Sequence, residues 1–110
     1  MSILVPMIVP KVYKIITINN WRNFITSGNN KCYGFDNDIK DGFIHLSTEK
    51  QLPLVLKKFT NQASVYKLSI DLNESKGVKW EYHKGDIYPH IYGYISLIEN
   101  ITDIEEILLF

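Results

Sequence analysis

The stretch Asp41-Gly42-Phe43-Ile44-His45-Leu46-Ser47-Thr48 sets a turn glycine ahead of an apolar run that carries one imidazole and two hydroxyls. Read as a strand, its period of two puts Phe43, His45 and Ser47 on one face and Ile44 and Leu46 on the other. One face can enter a core while the other lines a cleft. A second segment, Tyr88-Pro89-His90-Ile91-Tyr92-Gly93, repeats the arrangement, with His90 and Tyr92 alternating against Ile91. Two of the three histidines in the chain lie in these segments.

Outward from them, the hydrophobic periods assign the remaining elements. Val12-Tyr13-Lys14-Ile15-Ile16 is a β-branched and aromatic run that reads as a strand, with Tyr13 and Ile15 opposite Lys14. Thr17 or Asn19 caps a short helix whose Trp21, Phe24 and Ile25 fall at helical spacing, and Gly28 closes it. From Asn29 to Gly42 the chain is rich in Asn, Asp, Gly and Lys and reads as a long surface loop. Thr48 stands three residues before Gln51, the spacing of a capping box, and Leu52, Val55, Leu56 and Phe59 form the apolar stripe of a second helix. Pro53 places the start of that helix either at Glu49 or at Pro53 itself. Val65-Tyr66-Lys67-Leu68-Ser69-Ile70 alternates with Tyr66, Leu68 and Ile70 inward, and the polar break over 71–77 follows. Val78, Trp80 and Tyr82 then alternate with Lys79 and Glu81, which turns Glu81 away from the core. The turn from His83 to Asp86 leads into an extended run over 87–97, in which Pro89 indicates an edge, a bulge or a first strand position. The last apolar run, Ile104 to Phe110, is a strand or a helical turn. Strands dominate and two short helices are inserted early, so the class is α+β with a mainly antiparallel, strongly curved sheet. Residues 12–110 form one domain, preceded by an arm over residues 1–11.

Composition narrows the function classes. At 110 residues the chain holds one two-layer core but not a cofactor domain beside a substrate domain. Twelve basic residues balance twelve acidic ones, so no global field draws the protein onto nucleic acid. The single cysteine, Cys32, has no partner for an internal disulfide, which suits a reducing compartment and places the protein in the cytoplasm. The apolar N-terminal stretch from Ile3 to Pro10 is broken by two prolines and is well short of the roughly 20 residues that cross a bilayer. It reads as an extended arm or edge strand, or as a disordered leader, and not as a membrane span. The chain has neither a glycine-rich phosphate loop nor an internal repeat.

Each candidate for chemistry has a plainer reading beside it. His45, next to Ser47 and Thr48, is either a hydrogen-bonding or acid/base residue or a structural histidine bonded across the sheet. His90 has the same two readings, with Gly93 nearby to admit a close approach. Glu81 beside Trp80 is a carboxylate at an aromatic wall, where desolvation would raise its pKa, or else an exposed partner for Lys79. Ser47 with His45, or Cys32, would suit a hydrolase, but no nucleophile elbow accompanies either. The three histidines with Glu81, Asp86 and Asp41 form no dense ligand cluster for zinc. The tyrosines Tyr82, Tyr88, Tyr92 and Tyr94 offer a stacking surface or finish a core edge.

Taken together, Tyr13-Lys14-Ile15, Trp21, Gly28, the run from Asp41 to Thr48, Gln51, Asp71, Lys79-Trp80-Glu81 and the run from Tyr88 to Gly93 resemble the small bacterial domain-of-unknown-function family 952. The resemblance covers nearly the whole chain from Val12 onward. It implies a fold similar to that of ADP-ribosyltransferases, with a split, curved β architecture and a cleft for a nicotinamide dinucleotide. Carried over, it implies that His45 contacts ribose, that Tyr92 or Trp80 stacks on the nicotinamide, and that Glu81 bonds the reacting sugar. The first strand departs from those transferases, offering Tyr13-Lys14 where they present histidine or arginine. The expectation is a cleft formed by His45, Ser47, Glu81, His90 and Tyr92 that takes a nucleotide or ADP-ribose-type ligand, with NAD as the candidate cofactor. The competing classes are a non-catalytic ligand-binding or interaction module and a structural partner subunit built on the N-terminal arm.

Overall fold

The computed structural model describes residues 11–72 and 77–109. The expected N-terminal arm, apart from Lys11, and most of the polar break after Asp71 lie outside the described residues.

Strand β1 (Val12–Thr17) leads into helix α1 (Ile18–Thr26), whose first turn is closed by Thr17 Oγ1 accepting the Asn20 backbone N–H at 3.1 Å. Strand β2 (Lys31–Cys32) and helix α2 (Asn37–Asp41) follow, then β3 (Ile44–His45) and β4 (Ser47–Thr48). The Thr48–Gln51 capping box forms over a 3₁₀ turn at Glu49–Gln51, and α3 (Leu52–Leu56) begins one residue before Pro53. The proline thus ends the tight turn and opens the regular helix. Strands β5 (Ser64–Ile70), β6 (Val78–His83), β7 (Asp86–Ile91), β8 (Ile95–Ser96) and β9 (Ile101–Leu108) complete the described chain. The last apolar run is therefore a strand.

Every strand pair among the described residues is antiparallel, so the fold is α+β with split antiparallel sheets. The larger sheet has the order β4-β1-β5-β9, a second has β3-β7-β6, and β2 pairs with β8. A register shift at Ser69/Ile70 bends the β5–β9 pair. The main core gathers Val12, Ile16, Leu68 and Ile70 from the larger sheet, Ile44 and Ile91 from the second, Cys32 and Ile95 from the third and Phe24 from α1. On the other face of the larger sheet, Tyr13, Ile15 and Val65 meet Leu52 of α3, with Val55, Leu56 and Phe59 packed around them. Both faces of β1 and β5 are thus covered, which is why Val65 is wholly buried although it alternates against Leu68 and Ile70.

Two sequence expectations are corrected. The region 29–42 is not a bare loop: it contains β2 and α2, and it buries both Cys32 and Asp38. A pattern that treats aspartate as a surface residue misses this, because Asp38 is inside and paired. The histidine strand is also not continuous. It leaves the second sheet after His45 and joins the larger sheet at Ser47, opposite Tyr13. At that switch the period of two fails, so Leu46 and Ser47 are both buried.

Candidate functional site at the split between the sheets

His45 and His90 are direct cross-strand neighbours, and Lys79 is the neighbour of His90 on its other side. Directly opposed residues in a sheet project to the same face, so these three side chains form one row across β3, β7 and β6. Adjacent strands lie about 4.8 Å apart, which makes the row about 10 Å long. The hairpin that carries Lys79 and His90 is closed by Lys84 and Gly85, both at positive φ, as a two-residue hairpin turn requires.

The His90 end is built from this hairpin. His90 Nδ1 lies 2.9 Å from Glu81 Oε1, and the Tyr92 hydroxyl donates to the same oxygen at 2.6 Å. A carboxylate accepts only, so Nδ1 is the donor and Nε2 is left as the acceptor of the neutral ring. Nε2 has no hydrogen-bond partner among the described residues. The Tyr92 hydroxyl, and then His90, hold the Glu81 carboxyl below its ordinary value, while the same bond pushes the Tyr92 phenol up. The sequence expectation that desolvation raises Glu81 is thus reversed, because the group is 38% exposed and receives two donors.

The His45 end is built on a buried carboxylate. Asp38, 3% exposed, accepts the backbone N–H of Phe35 at 3.1 Å and of His45 at 3.0 Å, meets His45 Nδ1 at 2.5 Å and pairs with Lys14 Nζ at 2.7 Å. Burial pushes this carboxyl up, but the His45 bonds and the Lys14 charge outweigh burial and bring it down to about 2. Lys14 reaches Asp38 because it shares the core face of β1 with Val12 and Ile16. His45 Nε2 faces a second carboxylate, Asp41 Oδ2, at 3.0 Å.

Phe43 joins the two ends. Its ring stacks on His90 at 4.2 Å and lies 4.6 Å from His45 and 5.2 Å from Tyr92, and the two imidazole centroids are 5.5 Å apart. Lys79 Nζ stands 4.8 Å over the Tyr92 ring. A small cavity lined by Lys14, Trp21, Phe24, Cys32 and Ile44 lies towards the apolar interior and not over the imidazoles.

Of the residues expected in the cleft, His45, Glu81, His90 and Tyr92 share these contacts. Ser47 does not, because the switch of sheets carries it into the larger sheet, where it is 2% exposed. Trp80 does not either: it alternates against Glu81 and lies opposite Pro89, on the far face of the hairpin. Lys14, Asp38, Phe43 and Lys79 were missed as site residues. Phe43 and Lys79 had a signal, since alternation puts each on the face of a chosen residue; Asp38 had none within the strand pattern. No group of three or more His, Cys, Asp or Glu able to hold a metal occurs among the described residues.

Residues 15–103 match the family model described as protein of unknown function DUF952. The chain belongs to this family. Its segments from Asp41 to Thr48 and from Tyr88 to Gly93 both lie within the matched range and supply the two histidines of the row. A crystal structure of protein CC0527 from Caulobacter crescentus is similar to this DUF952 domain, with a TM-score of 0.75 and 27% identity over 87% of this chain and 84% of that one. The solution structure of CC0527 aligns with a TM-score of 0.69 and 28% identity over 86% and 82% of the two chains. No curated protein is significantly similar to the chain. No helix among the described residues is long and apolar enough to cross a membrane.

Proposed function

We propose that the protein binds a nucleotide or ADP-ribose-type ligand across the His45–His90 face and acts on it as an ADP-ribosyltransferase-like enzyme, with NAD as substrate. The observation that carries this reading is Glu81 Oε1, which receives both the Tyr92 hydroxyl and His90 Nδ1 while the side chain stays 38% exposed. A carboxylate held ionised at the rim of a histidine-lined face suits stabilisation of a developing cation better than proton donation. In the proposed reaction the bond between ribose C1′ and the nicotinamide nitrogen breaks. Its electron pair goes to that nitrogen, and Glu81 faces the positive charge left on the sugar. A water or acceptor hydroxyl then bonds to C1′ and gives its proton to His90 Nε2, whose other nitrogen is held by Glu81. His45 contacts the ribose, and the stacking ring is Tyr92, Trp80 being on the opposite face of the hairpin.

Calorimetric titration with NAD and with ADP-ribose, followed by measurement of nicotinamide release, tests the reading. The expected result is binding and release by the unaltered protein, and binding without release by Glu81→Gln. Binding with no release by the unaltered protein would favour a non-catalytic binding module. Binding of neither compound would overturn the nucleotide reading.

A further inference from the structure

Strand β6 is the open edge of the second sheet, paired only with β7 among the described residues. Its hairpin fixes which way its backbone points. His83 and Asp86 flank the two-residue turn Lys84-Gly85, so they exchange hydrogen bonds, and every second residue back along β6 does the same with β7. The Gly77 carbonyl, which accepts the Tyr92 N–H at 2.9 Å, keeps that phase. Trp80 therefore lies opposite Pro89 at a position without ladder bonds, where a proline is tolerated. The N–H and C=O groups of Val78, Trp80 and Tyr82 point instead to the open edge.

The side chains of these three residues share the face that meets the core, but the core ends before the hairpin does. Ile91 and Pro89 on this face are fully buried, whereas Trp80 is 44% exposed, Ile87 53% and Tyr82 76%. An apolar strip thus runs from the core out along the hairpin.

The other long edge strand, β9, opposes pairing with a second copy. A two-fold antiparallel pairing of β9 with itself, centred on any residue from Asp103 to Glu106, sets carboxylate against carboxylate. Strand β6 is the reverse. Centred on Trp80, the same pairing sets Trp80 on Trp80, Val78 on Tyr82 and Lys79 on Glu81, the last two contacts each made twice. A centre one residue to either side opposes two Lys79 or two Glu81 side chains instead. Both charges are available for the contact: among the described residues Lys79 has no carboxylate within ion-pair distance, and Glu81 uses only Oε1.

We propose that two copies of this chain associate through β6, forming one six-stranded antiparallel sheet in which Lys79 of each copy pairs with the partner's Glu81. The two histidine faces then lie on one continuous surface. The proposal goes beyond the nucleotide reading and does not depend on it.

The test is sedimentation equilibrium of the full chain, unaltered, as Lys79→Glu, as Glu81→Lys and as the two variants mixed, with circular dichroism reading the fold of each. The unaltered protein is expected to pass from monomer to dimer as its concentration rises. Each charge reversal is expected to weaken the dimer about tenfold or more, since two attractive pairs become two repulsive ones. The equimolar mixture is expected to dimerise again, because every charge pair across the axis is then of opposite sign. Glu81→Lys gives up the bonds to His90 and Tyr92. Should it fail to fold, Lys79→Glu and Trp80→Asp, which puts two like charges at the axis, carry the test, and both are expected to weaken the dimer. An unaltered protein that stays monomeric at roughly millimolar concentration would overturn the proposal and leave the strip to another kind of partner. So would a dimer that Lys79→Glu does not weaken, folded variants that stay apart on mixing, or association past a dimer, since a two-fold pairing closes.

Discussion

Replacing Asp38 by asparagine removes one charge from the point where the sheets part, and its cost follows from the contacts around that charge. The carboxyl is brought from 3.8 to about 2 in the folded protein, against the pull of burial, by His45 and Lys14. A carboxyl whose folded value lies below its unfolded value stabilises the fold above the unfolded value, and this contribution is lost as the pH falls through the folded one. The drop corresponds to roughly 2 kcal/mol at neutral pH. Asparagine also leaves the Lys14 ammonium, only 12% exposed, without its carboxylate. Breaking a buried pair by removing one partner costs about 3–5 kcal/mol. Asp38→Asn is therefore expected to lose about 3–5 kcal/mol at pH 7 by urea denaturation. The gap between the two proteins should narrow by roughly 2 kcal/mol between pH 5 and pH 2. Glu81 and Asp86, also held below their ordinary values, are present in both proteins and cancel in the difference. Adding Lys14→Met to Asp38→Asn should recover part of the loss, since no unpaired ammonium then remains. A gap under about 1 kcal/mol at pH 7, or one that stays constant down to pH 2, would refute the reasoning.

Two further outcomes are expected. Gly77→Ala should destabilise by about 1–3 kcal/mol in thermal or urea unfolding, because Gly77 has φ +79 and an added Cβ would sit 2.6 Å from the Tyr92 carbonyl oxygen. Gly85→Ala, at φ +89 but facing open space, should cost about 1 kcal/mol, and equal costs at the two glycines would count against the close approach. Tyr92→Phe should move the Glu81 carboxyl up towards its ordinary value, since the Tyr92 hydroxyl is the main cause of its depression. A carbon-detected NMR titration of the Glu81 side chain reads this directly, and an unmoved Glu81 would sink the assignment.

What the sequence made legible follows where local rules act alone. Thr17 capping, the Thr48–Gln51 box and the stripe of Leu52, Val55, Leu56 and Phe59 are decided within one or two helical turns, and all three stand in the structure. The alternation of Val78, Trp80 and Tyr82 against Lys79 and Glu81 also holds, but it does not say which face is buried. Tyr82 is 76% exposed while Glu81 turns to His90. The segment 29–42 defeats the same rules because its order comes from Asp38, whose partners Lys14 and His45 arrive from other strands. The switch of sheets at Leu46 likewise has no local mark: neither a proline nor a glycine stands between His45 and Ser47. The second histidine segment shows the reverse case. Pro89 sits inside a paired strand, and its free carbonyl takes the Leu46 N–H at 3.0 Å at the very residue where the sheets separate.

That separation also sorts the polar residues of the site by what the fold itself needs. When a strand leaves one sheet for another, backbone groups at the junction lose their ladder partners and must be satisfied otherwise. Lys14 Nζ donates to the His45 carbonyl at 3.1 Å, and Asp38 accepts the His45 N–H. Lys14 and Asp38 are therefore accounted for by the split alone, and their burial needs no ligand to explain it. The same cannot be said of Asp41, Glu81 and Tyr92. Their side chains reach solvent, they satisfy no backbone group at the junction, and they contact imidazoles or one another. If the row were only structural, replacing Glu81 and Asp41 together by their amides would leave ligand titrations unchanged, with any loss confined to stability; the reading given above requires altered ligand titrations. The two explanations part on the ligand titration of that double variant, since an exposed pair such as Asp41 with His45 contributes only about 0–1 kcal/mol to folding.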